Sequence, residues 1–305
     1  MNARPIPWRV NLTVVAAQVS AAMAIFWLTA LASNWWQIGL LAVAFALVGN
    51  SIYASMHEAE HGILLPVRFY NDALGVALAA FFPAPFHLLR QSHLGHHWRN
   101  RSDDEAFDYF FPGESALWKR LQLYGILTGM FWITIVLSNV LVLVCPFVLQ
   151  GKLVAFDRPT TAFMDSLNPR YWRWIQAEAL LAIVFHAGTI WLLGVPITSY
   201  LVVYFGFGLV WSGMQYVHHF GTPRHVINGS RNLWLSGPID VLWLHHNWHH
   251  THHQHPTLPW IYLKEASVAD GAQREFLLWH YVRMWRGPRL TTEHVENRYA
   301  GRIIQ

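Results

Sequence analysis

Long apolar runs separated by short polar stretches occupy most of the chain. A helix needs about 20 mostly apolar residues to cross the hydrocarbon layer of a bilayer, and four segments meet this requirement. They are Leu12–Ala32, Ile38–Met56, Trp174–Leu193 and Ile197–Tyr216. Because only a few residues separate the first segment from the second, and the third from the fourth, the pattern predicts two helical hairpins that span a membrane.

Two further apolar segments do not fit a simple crossing. Ala73–Phe86 is too short to span and contains two prolines, so we expect it to lie in the membrane interface. Leu121–Leu149 is long enough, but a single crossing would put the histidine-rich segments before and after it on opposite faces. It would also export basic residues such as Lys152, against the positive-inside rule. We therefore predict a bent, re-entrant or interfacial element with a break near Gly129 or Ser138–Asn139.

The composition supports a membrane protein. The chain is 54% hydrophobic and 12% charged, against about 25% charged in a typical soluble domain. Arg4 and Arg9 precede the first hairpin, which puts both termini and the histidine-rich segments in the cytoplasm. We predict an all-α integral membrane protein in which residues 1–305 form a single domain. It has four transmembrane helices in two hairpins, extra re-entrant or interfacial helices, and a cytoplasmic histidine-rich cap.

Charge and cysteine content exclude several other classes. The basic excess is explained by cytoplasmic loops, and no aromatic-plus-basic pattern indicates nucleic acid. The single cysteine, Cys145, leaves neither disulfides nor a thiolate metal site. Near the C-terminus, Phe276 to Trp285 predicts a helix on the membrane surface, with Arg283 and Arg286 towards the lipid head groups.

Histidine is the residue type that carries the chemistry. Of the 19 histidines, twelve fall in three stretches, which are HEAEH (His57–His61), HLGHH (His93–His97) and HHNWHHTHHQHP (His245–Pro256). Neutral imidazole is the commonest metal ligand in proteins, and a spacing of four residues puts both histidines of HEAEH on one helix face. Three such clusters exceed the needs of one ion, so the pattern favours two five- or six-coordinate ions.

The third cluster can be divided in two ways. Its H-x-x-H-H motif is either His246, His249 and His250 or His249, His252 and His253. We prefer the second because it continues as H-x-x-H-H-x-x-P-x-x-P-W. A further candidate is His219, or its neighbour His218, with Gln215 one turn earlier. An all-nitrogen set suits iron, copper, nickel or zinc, but zinc alone would need only three or four ligands.

The three clusters, in this order relative to two membrane hairpins, resemble the boxes of the integral-membrane fatty acid desaturase and hydroxylase superfamily. The matching stretches are HEAEHGILLP from His57, RQSHLGHHWRNRSDDEAFD from Arg90 and NWHHTHHQHPTLPW from Asn247. The resemblance implies two iron ions as cofactors and O2 as co-substrate. It implies the ligands His57, His61, His93, His96, His97, His219, His249, His252 and His253.

The resemblance also implies an O2-dependent oxidase that acts on a long acyl chain within membrane lipids. Fatty acid desaturation is our first interpretation. The alternatives are decarboxylation of a fatty acid to a terminal alkene, and hydroxylation or ketolation of a lipid or carotenoid. No dinucleotide-binding loop or C-x-x-C pattern is present, so a separate electron-donor protein of ferredoxin, rubredoxin or cytochrome b5 type is expected. We predict that it docks on Arg99, Arg101, Lys119 and Arg120.

Competing interpretations explain less. HEAEH also matches the zinc protease motif, with Glu58 as general base, but that leaves two clusters without a purpose. A histidine-rich metal transporter would need a polar path through the spans, where only Gln18, Asn50 and His186 occur. His186 is either a functional residue or a packing residue.

Two further groups complete the expectations. A solvated acidic face, one or two members of which orient ligands, comprises Asp103, Asp104, Glu105 and Asp108. Surface or loop histidines comprise His87, His225, His280 and His294.

Overall fold

A computed structural model of the protein describes residues 4–150 and 157–304, which are mainly helical. Its α-helices in chain order are α1 (Trp8–Leu31), α2 (Trp35–Glu60), α3 (Arg68–Phe81), α4 (Phe86–Arg99), α5 (Ala116–Leu127), α6 (Met130–Val144), α7 (Arg158–Asp165), α8 (Trp172–Leu193), α9 (Ile197–Val217), α10 (Gly237–Leu242), α11 (His249–Gln254), α12 (Leu263–Ala269) and α13 (Leu277–Met284). Four short strands are β1 (Tyr109–Phe110), β2 (Asn232–Trp234), β3 (Arg274–Phe276) and β4 (Arg289–Leu290).

Helices α1, α2, α8 and α9 are each long and apolar enough to cross a membrane. They confirm the four predicted spans and their arrangement as two hairpins. Helix α2 runs beyond the predicted end of its span to Glu60, so the first histidine cluster continues directly from a membrane helix. Gly49 lets α2 and α9 approach closely, because a Cβ there would lie 2.6 Å from the Phe207 ring.

Helices α5 and α6 form the bent element that the sequence predicts, with an angle of 88° between them. The break is at Gly129, whose φ of 85° favours glycine. The alternative break at Ser138–Asn139 is wrong, since both residues lie inside α6. Lys152, whose charge entered the prediction, lies outside the described residues. The histidines before and after this element meet at one site, as shown below, so the element enters and leaves the membrane on the same side.

Helices α3 and α4 form a second bent pair, with an angle of 99°. The bend reaches deeper than the interfacial position that we predicted. His186, well inside the α8 span, donates from Nε2 to the carbonyl of Ala80 at 2.9 Å, and its Nδ1 lies 2.6 Å from the Tyr200 hydroxyl. His186 is thus a packing residue that supplies a hydrogen bond where water is scarce. Asn139 of α6 donates to the carbonyl of Pro83 at 2.8 Å and joins the two bends.

The C-terminal residues 289–304, here called the C-terminal strap, return to the histidine-bearing end. Strand β4 pairs in parallel with β1, and β2 pairs in parallel with β3. The backbone N–H of Asp103 donates to the Val295 carbonyl, and the backbone N–H of Val295 donates to the Asp103 carboxylate, both at 2.9 Å; the side chain of Ile304 is buried. Helix α13 exposes Leu278, Trp279 and Val282, which is the apolar face expected of the predicted membrane-surface helix.

Candidate metal centre

A first group of imidazoles lies where α2, α4 and α11 meet. His57, His61, His93 and His252 each place a ring nitrogen within 4.8 Å of the others. The Nε2 atoms of His61 and His93 are 2.8 Å apart. His57 and His61 come from the last turn of the α2 span, so a membrane helix positions two members of this group.

A second group lies beside the first. His96, His219, His249 and His253 also place their nitrogens within 4.8 Å of one another. The Nε2 atom of His249 lies 3.0 Å from that of His219 and 3.1 Å from that of His253. Three of these four residues are fully enclosed, and His96 is half-buried.

His97 adjoins the first group. Its Nε2 atom lies 3.0 Å from Nε2 of His93 and 3.0 Å from Nε2 of His252. All nine histidines named from the sequence therefore come together at one end of the molecule. His250 does not join them, since its Nδ1 faces the Ser230 hydroxyl at 3.4 Å.

The spacing of the nitrogens fits metal ligation. Neighbouring ligands of a six-coordinate ion lie apart by the square root of two times the bond length, which gives about 3.0 Å for metal–imidazole bonds of about 2.1 Å. Several Nε2 atoms lie close together within the two groups, from 2.8 Å between His61 and His93 to 3.3 Å between His96 and His253, and the ligand nitrogens of each set of four lie within 4.8 Å of one another. Five nitrogens in one group and four in the other could hold two ions with open positions left over.

Burial keeps these imidazoles neutral. Burial, together with the charge of Arg90, lowers the pKa of His61 to about 3. Burial likewise lowers the pKa values of His249, His252 and His253 well below the ordinary value. A neutral imidazole keeps the lone pair that a metal ion needs, so the site is set for cation binding at neutral pH.

Two acceptors orient members of the second group. The Nδ1 of His96 contacts the Glu105 carboxylate, and the Nδ1 of His219 donates to the carbonyl of Gly229 at 2.9 Å. Such contacts fix the tautomer and turn Nε2 towards the metal position. A Cβ at Gly229 would lie 2.3 Å from Cγ of Arg101 and 2.3 Å from the carbonyl oxygen of His225. Only glycine fits there without displacing the loop that holds His219.

A buried ionic network supports the same loop. Arg101 is fully enclosed and donates to Asp108 at 2.5 Å, to the Tyr216 hydroxyl at 2.6 Å and to the carbonyl of Thr222 at 2.9 Å. Burial disfavours its charge, but Tyr216 and Asp108 outweigh burial and raise the pKa of Arg101 above its ordinary value. The network ties the segment after the second histidine cluster to the end of α9, next to His219.

Several sequence-based expectations for this region are wrong. Arg99, Arg101 and Lys119 are buried, so they cannot form a docking surface; of the four predicted residues, only Arg120 is exposed. Asp103 and Asp108 are also buried, because each pairs with an arginine. Two histidines that we expected on surfaces or loops lie in helices. His87 of α4 is half-buried and contacts the Glu178 carboxylate at 2.5 Å, and His280 of α13 is buried.

The sequence matches the family of fatty acid desaturases over residues 33–288, which is most of the chain. This chain belongs to the fatty acid desaturase family. A relative named "Probable fatty acid desaturase DES1", from Sorghum bicolor, is 25% identical over 296 residues, covering 86% of this chain and 70% of the relative. Family membership makes the protein a multi-pass membrane oxidoreductase.

Glu58, which the protease interpretation would make a general base, has a structural partner instead. Its buried carboxylate accepts a hydrogen bond from the backbone N–H of Trp260 at 3.0 Å. The indole of Trp260 donates in turn to Asn11 at 2.9 Å. Glu58 therefore ties the end of the third box to the first hairpin.

Two residues beside the metal centre, His218 and His246, were not selected as site residues from the sequence. His218 and His246 belong to neither group, yet both line a cavity of about 140 Å³ beside His93, His96 and His249. The doubled His218–His219 and His245–His246 pairs were the available signal, but spacing alone does not show which member of a pair faces a metal position.

Proposed function

We propose that this chain is a non-haem di-iron oxidase that desaturates a fatty acyl chain. The observation that carries the proposal is the pair of imidazole groups, five and four nitrogens, side by side at a cavity with an apolar wall. Two iron ions held there, given O2 and two electrons, would supply the oxidation of an unactivated C–H bond. The nine ligands proposed are the histidines predicted from the sequence.

The overall reaction balances with O2 as the oxidant. One hydrogen leaves each of two adjacent carbons, and these join O2, two electrons and two protons to give two waters. The histidines of the protein would hold the ions, and Glu105 and Gly229 would orient the imidazoles. The cavity would enclose the reacting part of the acyl chain. Enclosure excludes bulk water and so limits side reactions of a reactive oxidant.

The electrons must come from a separate protein, for which we propose a ferredoxin, rubredoxin or cytochrome b5 type. The positive-inside rule supports a cytoplasmic position for the histidines and both termini. Ligands come from residues 57 to 253, so we propose that the chain works as one domain.

A metal transporter is less well supported. The three polar residues that such a path would use have local partners instead. Gln18 donates to Ser51 at 2.8 Å, Asn50 to the carbonyl of Ala46 at 2.7 Å, and His186 to that of Ala80 at 2.9 Å. These groups are satisfied by packing and leave none aimed along a channel.

The test is a mass-spectrometric profile of lipids and headspace from cells that express the chain. We expect new carbon–carbon double bonds that disappear in a His97→Ala variant and persist in His255→Ala, since the His255 ring faces Asp270 at 3.4 Å and joins neither imidazole group. Two iron ions per chain in the purified protein would support the cofactor. A volatile alkene one carbon shorter than a host fatty acid, or a hydroxylated or ketone product, would show that desaturation is the wrong reaction.

A further inference from the structure

The cavity of about 140 Å³ beside the histidine groups has two kinds of wall. One wall is apolar and is built by Leu89, Ile126, Phe131 and Ile135. The other carries polar side chains that are not in either imidazole group, namely Tyr53, Glu60, Gln215, His218 and His246. A site for a hydrocarbon chain alone would need no such polar wall, so the wall indicates a ligand with a polar end.

Helix α9 supplies much of the polar wall. Trp211 and Gln215 lie four residues apart on one face of α9. His218, three residues further on, caps the end of the helix on the same side. Nε1 of Trp211 lies near the Tyr53 hydroxyl but makes no hydrogen bond of acceptable geometry. The Nε2 atom of His218 and Oε2 of Glu60 are also buried without a partner. Unpaired buried polar atoms are rare in folded proteins, and here three line one cavity.

The tautomer of His218 follows from its other nitrogen. Nδ1 faces the carbonyl of Arg231 at 3.3 Å, and a carbonyl can only accept, so Nδ1 carries the proton. Nε2 is then a bare acceptor directed at the cavity. Since Trp211 Nε1 can only donate, the wall offers both a donor and an acceptor.

His246 is brought to this wall by a strained turn. The preceding residues Leu244 and His245 have φ values of 49° and 55°, which cost energy in residues other than glycine. Asp240 holds the turn by accepting from the Nδ1 of His245 at 2.9 Å. The His246 ring then lies 4.7 Å from that of His57 and 5.6 Å from that of Tyr53, centre to centre.

We propose that this wall binds the free carboxyl group of a fatty acid, so that the substrate enters with its head beside the histidine groups. The acid O–H donates to Nε2 of His218, and its carbonyl oxygen accepts from the donors of Trp211 and Gln215. Glu60 also lines this wall but takes no part, because the acid has a single O–H and His218 accepts it. The inference rests on the proposed oxidase function, of which it specifies the substrate class.

Size supports a free acid over a carrier-linked acyl group. The cavity is smaller than the roughly 300 Å³ needed for a drug-sized molecule. It accommodates a carboxyl group and the first few carbons but not a carrier joined through a thioester, which also lacks the O–H donor. The remaining chain follows the apolar wall towards Phe131 and Ile135 of α6, a helix that exposes other apolar side chains such as Leu137 and Val140.

Head-first binding fixes the carbons that are oxidised. Carbons 2 and 3 lie next to the histidine groups, so hydrogen is removed there and not in the middle of the chain. With O2, two electrons and two protons, removal of one hydrogen from each carbon gives the 2,3-alkene and two waters. Loss of the carboxyl as CO2 after removal of a hydrogen from carbon 3 consumes the same reagents and gives a terminal alkene and two waters.

The test is equilibrium binding to the purified full-length protein without an electron donor, so that no turnover occurs. Radiolabelled dodecanoic acid is the probe, and dodecanoic acid, its methyl ester and dodecane are the competitors. We expect the ester to compete about tenfold more weakly than the acid, the effect of one to two hydrogen bonds. Equal competition by acid and ester would overturn the proposal.

Two variants assign the effect to the wall. Trp211→Phe and His218→Phe should each weaken acid binding several-fold while leaving ester binding unchanged, with metal content as the check on folding. Trp132→Phe is the matched control, because its Nε1 is also buried without a partner but the residue does not line the cavity. Equal weakening of acid and ester in both variants would contradict the assignment.

The position of oxidation separates this inference from the proposed function. A double bond in the middle of the chain would sustain the oxidase and overturn head-first binding. Acid-selective binding in a protein that forms no oxidised product would sustain the head-binding wall and overturn the oxidase.

Discussion

The two imidazole groups are built on different kinds of scaffold. The first group takes His57 and His61 from the end of the α2 span and His93 and His97 from α4. The second takes His219 from just beyond α9, and His249 and His253 from α11, which is six residues long. The end of one spanning helix and the 14-residue α4 place most of the first group, whereas hydrogen bonds between loops place most of the second.

The contrast extends to the side chains around each group. Glu105 and the Gly229 carbonyl orient two members of the second group, and both lie in loops held by Arg101, Asn100 and the C-terminal strap. Asn232 likewise holds the start of α11 by accepting from the backbone N–H of His250 at 2.9 Å. Damage to the polar loops should therefore weaken the second metal position and spare the first.

Gly229→Ala is expected to give the largest difference in metal binding between the two imidazole groups. The new Cβ would have to displace the Arg101 side chain and the backbone of His225, so the carbonyl that orients His219 must move. We expect the purified protein to fall from two iron ions per chain to about one, with loss of activity. Metal content by inductively coupled plasma mass spectrometry measures this.

Gly237→Ala is the control for that substitution, because a Cβ there meets nothing within 4 Å. It should retain two ions. If Gly229→Ala also retained two ions, the second group would not depend on the loop that carries the Gly229 carbonyl.

A smaller effect is expected from Glu105→Gln. Glutamine keeps the shape but removes the charge that contacts His96, and changes of this kind cost about 10- to 100-fold in metal affinity. Chelator competition should release one ion more readily and leave the other unchanged. Glu265→Gln, which changes an exposed carboxylate paired with Arg4, is the matched control. Equal release of both ions would mean that the groups do not bind independently.

The smallest effect is expected from Asp103→Asn. Burial raises the pKa of Asp103, but hydrogen bonds from Val295, His294 and Arg224 outweigh burial and hold it below its ordinary value. A carboxyl with a lowered pKa stabilises the fold above the unfolded value of about 3.9, and this contribution is lost as the pH falls below it.

We therefore expect Asp103→Asn to lower the Tm at pH 7 by about 2 °C, the shift for roughly 1 kcal/mol in a large domain. The gap to the wild type should narrow as the pH falls towards 3, as measured by scanning fluorimetry in detergent. The exposed Asp165 provides a control, Asp165→Asn, that should leave the Tm unchanged. A gap that does not change with pH would show that the Asp103 charge is not what anchors the strap.

Features that depend on local sequence were predictable. The four spans follow from apolar run length, and the bend within Leu121–Leu149 follows from a run whose two ends must share one side, although the sequence left Gly129 and Ser138–Asn139 as alternative breaks. The pairing of His57 with His61 follows from helical periodicity. These inferences need only the rise and turn of a helix.

Features that depend on distant pairing were not predictable. Arg101 resembles a surface cation in the sequence, yet Asp108 and Tyr216 enclose it because the end of α9 folds against that loop. Burial of His280, the contact of Glu58 with Trp260 and the depth of the α3–α4 bend likewise arise from segments far apart in the chain. No spacing rule encodes such contacts.

The hydrogen bond from Asn139 to the Pro83 carbonyl has a consequence for how the protein is made. Neither bent pair can remain alone among lipid tails, because a bend leaves backbone groups unsatisfied there. The donor is translated 56 residues after the acceptor. The Pro83 carbonyl therefore has no access to this donor until α6 has been synthesised. The bond that joins the two bends thus forms only after the first hairpin, α3 and α4 have all been synthesised.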